Sequence, residues 1–174
     1  MDEISEPLTG PYPSEGELPL HGFVFRHILT ESIKNSFAPE NQFNPRLPEK
    51  PPGLSLNWDK YSSPESTLIQ VGLQKHPIKE EFKDPSRFSV FKAKHSDIFD
   101  ELGDDFSLIH TPGFKSNPPP FGFPNNRSHT DLNGDEEVRI KLREVFKIAE
   151  KPDMDSVKNT VVSIISEWKK NLEE

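Results

Sequence analysis

Six histidines and no cysteine stand in this 174-residue chain, so its candidate chemistry rests on imidazoles, carboxylates and guanidinium groups. Two of the histidines flank an arginine in LHGFVFRHIL, residues 20–29, where polar side chains interrupt an aromatic and aliphatic run. Arginine keeps its charge at physiological pH. If shielded from water, Arg26 must pair with a carboxylate or face a pocket, because an uncompensated buried charge is costly. The pocket version is a site for an anionic or nucleotide-like ligand. Arg26 would grip phosphate or carboxylate through two parallel hydrogen bonds, and His21 or His27 would orient the ligand or exchange a proton. Gly22, beside His21, permits another backbone or a ligand to approach closely.

His110 and His129 bracket a second candidate. His110 sits in IHTP and His129 in NNRSHTD, next to Arg127, with a proline-rich segment between them that could close and bring the two together. The expected set is therefore His27, His110 and His129 as catalytic groups, with His21, Arg26 and Arg127 as ligand contacts. A two-histidine phosphoesterase would need each histidine followed, after one apolar residue, by Thr or Ser; here Thr111 and Thr130 follow directly, and the pattern fails. His110, His129 and Asp131 lack any diagnostic metal spacing, so no metal is assigned and no cofactor is specified. DLNGDE, residues 131–136, has the oxygen ligands that open a calcium loop, but Glu136 occupies the glycine position and Leu142 the twelfth. It reads instead as a turn at Asn133-Gly134 followed by a helix capped by Asp135.

The order GFVFRHI, a proline-rich gap, then GLSLNWDKYSSPEST is slightly similar to small NAD-using ADP-ribosyl-transferring domains. That likeness, over roughly residues 20–75, implies NAD-gripping roles for Arg26 or His27 and an acidic role for Glu65. No triad of the kind those domains use surrounds them, and Glu65 equally suits the first turn of a helix. The likeness identifies no family.

The elements that must position these residues follow from periodicity. Alternation predicts strands at GFVFRHI, LSLNW, RFSVFKA and DFSLIHTP, the first apolar on both sides and so interior to a sheet. TESIKNSF reads as a short helix capped by Thr30. Ser63-Pro64-Glu65 starts a middle helix, with Ser63 as cap and Pro64 in the first turn, and HSDIFDELG is a short helix ended by Gly103. Val138, Leu142, Val145 and Ala149 define one amphipathic helix, and Val157, Val161, Ile164, Ile165, Trp168 and Leu172 another. On the former, Arg139, Arg143 and Lys147 form a basic stripe that reads as a solvated face.

The fold class expected is α+β: a small mixed or antiparallel sheet with a middle helix and two C-terminal amphipathic helices. Residues 1–19, with five acids, no Lys or Arg and four prolines, read as a flexible arm. Residues 20–172 read as a single α+β domain with proline-rich loops at 39–52 and 112–124. A net charge of −8 opposes a general duplex nucleic-acid role, and no apolar run approaches the roughly 20 residues of a membrane-spanning helix. The expectation is a soluble, cytoplasmic protein with an anionic small molecule as partner. The alternative is a non-catalytic interaction or regulatory protein that binds another protein through its proline-rich loops and acidic arm.

Overall fold

The computed structural model describes residues 12–43, 53–75, 81–104, 106–113, 126–135 and 138–173. Seven strands form one sheet: β1 (Gly16–Glu17), β2 (Phe23–Leu29), β3 (Leu54–Trp58), β4 (Phe88–Lys94), β5 (Phe106–His110), β6 (His129–Gly134) and β7 (Lys147–Ile148). Their order across the sheet is β1-β5-β6-β3-β2-β4-β7, with every neighbouring pair antiparallel. Among the described residues four α-helices accompany it: α1 (Pro64–Gly72), α2 (His95–Leu102), α3 (Arg139–Val145) and α4 (Met154–Glu173). The α+β class stands, with a fully antiparallel sheet larger than the small one expected. No helix among the described residues is long and apolar enough to cross a membrane.

Alternation along the strands builds two cores. Val24, Ile28, Leu54, Leu56, Phe91, Leu108 and Leu132 pack with Ile98 and Leu102 of α2, Leu142 of α3, Phe43 and Phe146. Phe25 and Val90, on the other face, pack with Leu68, Ile69 and Leu73 around α1 and with Val157, Val161, Ile164 and Trp168 of α4. This second core spans only β2 and β4. On β3 and β6 that same face carries Ser55, Asn57, His129, Asp131 and Asn133, as the strand register requires. The polar half of one face is thus set beside an apolar half.

Local chemistry accounts for the helix ends. Ser63 caps α1 in a capping box with Ser66, and Pro64 takes the first turn, where its missing N–H costs nothing. Gly103, at φ 65°, terminates α2. Gly72 lets α4 come close: a Cβ there would lie 2.7 Å from Val161 Cγ2.

Several local expectations are corrected. TESIKNSF gives only a 3-10 turn at Thr30–Ser32, preceded by Leu29 rather than capped by Thr30. Asn35 and Ser36 then adopt φ of 50° and 65°, and Lys34 and Phe37 exchange backbone hydrogen bonds, which is the geometry of a tight two-residue turn. Residues 131–134 are strand rather than turn, because β6 lies between β3 and β5 and both neighbours claim its backbone groups. The first C-terminal helix stops at Val145, since Phe146 turns into the core and Lys147–Ile148 pairs with β4. Most of the proline-rich segments, 44–52 and 114–125, lies outside the described residues, as do residues 1–11 of the arm.

The described end of the arm lies against the sheet. Gly16 and Glu17 pair with His110 and Ile109, the Leu18 N–H donates to the Leu108 carbonyl at 3.0 Å, and the Leu18 side chain is 5% exposed. Leu18→Ala should therefore lower unfolding free energy by about 2–3 kcal/mol, measured as a fall in urea midpoint at constant m-value. A change below about 0.5 kcal/mol, the usual size at surface positions, would show the segment is not held.

Candidate functional site

The β2–β3 ladder ends early. β2 pairs with β4 over seven positions but with β3 over only two, Val24 with Trp58 and Phe25 with Asn57. The Asp59 N–H donates to the Phe23 carbonyl, whereas the Trp58 N–H donates the other way, to the Ser128 carbonyl. Odd-numbered residues of β3 therefore point their backbone groups toward β2. The next rung would join His27 to Ser55, but pairing stops, and Arg26 Nη1 donates to the Ser55 carbonyl at 2.8 Å instead. The guanidinium sits at a fork in the sheet.

Arg26 is half-buried, its Nε is buried without a partner, and among the described residues no carboxylate pairs with it. Burial alone pulls its pKa down to about 10. The His27 ring, edge-on to Phe88 at 5.6 Å, is pushed down to about 3, first by burial and then by the charges of Arg26 and Lys83. His27 is thus a neutral ring near pH 7, too weak a base to collect a proton there.

His110, Arg127 and His21 gather elsewhere, around Trp58. His110 is buried, stacked on Tyr61 at 5.7 Å and edge-on to Trp58 at 5.4 Å. Both of its ring nitrogens are engaged: the Glu15 N–H donates to Nδ1 at 3.1 Å, and Nε2 donates to the Arg127 carbonyl at 2.6 Å. A backbone donor on one side and a backbone acceptor on the other fix the tautomer. His110 ties the N-terminal segment to the 126–128 turn and has no lone pair left for catalysis. The Arg127 guanidinium lies 4.1 Å from the Tyr61 ring centroid and 5.4 Å from that of Tyr12, with Nη2 donating to the Tyr61 hydroxyl at 3.3 Å.

His21 lines a cavity of about 440 Å³ with Glu15, Glu17, Trp58, Asp59 and Lys60. Lys60 and the Tyr61 hydroxyl both donate to the Glu15 carboxylate, which lowers the Glu15 pKa and raises that of Lys60. Three carboxylates, with the only lysine of the wall already paired, make this cavity a poor seat for an anion. The close approach expected at Gly22 is made by Trp58: a Cβ would lie 2.9 Å from its Nε1.

His129 stands on the polar half-face. Its Nδ1 lies 2.9 Å from the Thr111 carbonyl oxygen and 3.0 Å from Thr111 Oγ1, and that hydroxyl donates to Asp131 Oδ2 at 3.0 Å. The carbonyl can only accept, so Nδ1 carries the proton. Asp131 Oδ1 is buried without a partner. The neighbouring turn is fixed by Asn57, whose Oδ1 accepts from Asn126 Nδ2 at 2.8 Å and from Ser128 Oγ at 3.1 Å.

The two segments flanking residues 114–125 do meet, since the Thr111 N–H donates to the His129 carbonyl and Gly113 pairs with Asn126. Yet alternation sends His110 and His129 to opposite faces of the sheet. The six expected residues fall into three places: Arg26 and His27 at the fork, His21, His110 and Arg127 around Trp58, and His129 on the polar half-face. Sequence reasoning did not find Ser55 or Thr111 as site partners, and their only signal was a hydroxyl within a strand at Ser55 and just past the end of one at Thr111. No group of three or more metal-ligating side chains occurs among the described residues.

Fold and site together define an α+β protein with a single antiparallel sheet and a forked strand pair. Comparison with protein-family models, curated proteins and solved structures found no match to the chain.

Proposed function

We propose that the protein binds an anionic ligand, of phosphate or carboxylate type, at the β2–β3 fork, with Arg26 as the group that grips it. The observation that carries this reading is the state of the guanidinium: its Nε is buried without a partner, no carboxylate pairs with it among the described residues, and one of its nitrogens is spent on a backbone carbonyl. A buried cation left in that condition is expensive, and an anion supplies the missing charge and acceptors.

Thermal shift against inorganic phosphate, pyrophosphate, ADP and NAD tests it. A ligand at 100 times its Kd should stabilise the fold by about 2.7 kcal/mol. Arg26→Met should fold at least as well as the parent, because it removes an unpaired buried charge while keeping aliphatic volume, and should lose the ligand-induced shift. A flat response to every anion, or a shift that survives in Arg26→Met, would overturn the assignment.

A further inference from the structure

The cavity beside Trp58 carries charge that its own walls do not neutralise. Of its three carboxylates, Glu15 is held by Lys60 and Tyr61, whereas Glu17 and Asp59 make no hydrogen bond or ion pair among the described residues. Lys60 is thereby spent, and two negative charges are left over. Carboxylates open to water can be satisfied by solvent, so these alone define no site.

A second group in the same cavity asks for a partner of a different kind. Trp58 is 5% exposed, yet its indole N–H has no acceptor among the described residues, although a buried indole usually finds one. Gly22 shows where that N–H lies: a Cβ there would be 2.9 Å from Trp58 Nε1 and 3.4 Å from Asp59 Oδ1, and all three residues line the cavity. The donor and the carboxylate oxygen thus share one corner of the cavity without bonding to each other. The ring is held edge-on by His110 at 5.4 Å and by Tyr61 at 5.7 Å, so the N–H direction is set before any ligand arrives.

The cavity volume, about 440 Å³, lies within the range of small-molecule sites, about 300–1,000 Å³. A bare metal ion would leave most of it empty. A simple alkylamine supplies the positive charge but no acceptor for the indole, and a free amino acid supplies an acceptor that is itself a carboxylate, which Glu17 and Asp59 repel. An ammonium with a neutral carbonyl next to it meets both demands.

We propose that this cavity binds a primary ammonium group flanked by a neutral carbonyl, with Asp59 accepting from the ammonium, Trp58 Nε1 donating to the carbonyl oxygen, and Glu17 adding its charge from the wall. Amino-acid amides and the amino termini of peptides share this chemistry. Arg26 does not line the cavity, so the site stands apart from the anion site at the fork. Discrimination follows from the paired demands: an analogue that lacks either group leaves the ammonium's carboxylate or the indole unsatisfied.

Titration calorimetry with alaninamide on the full chain tests the proposal near pH 7, where the α-amino group is largely protonated. The parent should bind alaninamide at least tenfold more tightly than alanine or N-acetylalaninamide, and several-fold more tightly than ethylamine. Asp59→Asn should weaken alaninamide at least tenfold and Glu17→Gln several-fold; both positions have solvent access, so the fold should tolerate them. The Trp58 indole cross-peak in nitrogen-15 correlation spectra, recognised as the one that survives Trp168→Phe, should move with alaninamide and not with ethylamine. Ala-Ala-Ala-amide separates the sources: tighter binding than alaninamide assigns a peptide terminus, and equal or weaker binding assigns a small amine. No binding of alaninamide or of the peptide amide overturns the proposal. So does binding that Asp59→Asn and Glu17→Gln leave unchanged, binding that N-acetylalaninamide or alanine matches, or a Trp58 cross-peak that stays in place at saturation.

Discussion

Trp168→Ala is expected to lower unfolding free energy by about 3–5 kcal/mol, at the upper end for a single truncation. Helix α4 is held to the sheet along one side: Val157, Val161, Ile164 and Trp168 recur at helical spacing, and all are buried with Leu68, Ile69 and Leu73. The indole is 5% exposed, so its removal leaves a void that neighbours on a sheet and a second helix cannot readily fill. Val162, on the outward side at 63% exposure, is the internal control, and Val162→Ala should stay within about 0.5 kcal/mol. The measurement is a pair of urea titrations at constant m-value. A Trp168→Ala cost below about 1 kcal/mol, well short of the usual range for a buried aromatic, would mean that α4 is not anchored by this stripe.

The same stripe explains what the sequence revealed. Val157 to Trp168 and the alternation in FVFRHI, LSLNW and RFSVFKA are local signals, with capping at Ser63 and the stop at Gly103 beside them, and each corresponds to an observed element. What was illegible depends on partners far along the chain. β1 is two residues in an acidic stretch, and it is placed by His110 and Ile109, more than ninety positions away. DLNG has the composition of a turn, yet two neighbouring strands hold it extended. The site follows the same rule. That Arg26 should be at least partly buried was readable from its place between Val24 and Ile28, and the residue is half-buried. That the β2–β3 ladder would stop one residue before it was not, because ladder length is decided between strands rather than within one. For His110, residue type suggested catalysis, and only the contacts of Glu15 and Arg127 reveal a tie between backbone segments.

Acidification from pH 7 toward pH 5 should destabilise the protein through His27, before the carboxylates begin to titrate. In the unfolded chain the imidazole takes up a proton near its ordinary pKa of 6.5, whereas in the folded protein it resists protonation until about 3. Below about pH 6.5 the unfolded state therefore binds more protons than the folded state, so stability falls as pH falls. The fall continues until the folded-state value near 3 is reached. The limiting slope for one such group is about 1.4 kcal/mol per pH unit, and the half-buried ring should realise only part of it because solvent screens the charge. Glu15 and Asp84 have lowered pKa values, so their contributions are lost at still lower pH, which leaves the interval between pH 6.5 and 5 to the histidines. His27→Phe separates His27 from the others. A phenyl ring preserves the edge contact with Phe88 and cannot take up a proton, so its melting temperature should fall less than the parent's between pH 7 and pH 5. Parallel melting curves for parent and His27→Phe across that interval would refute the role given to His27. They would also imply that the ring is open enough to water to be protonated in the folded state, and that the fork beside Arg26 is wetter than its burial indicates.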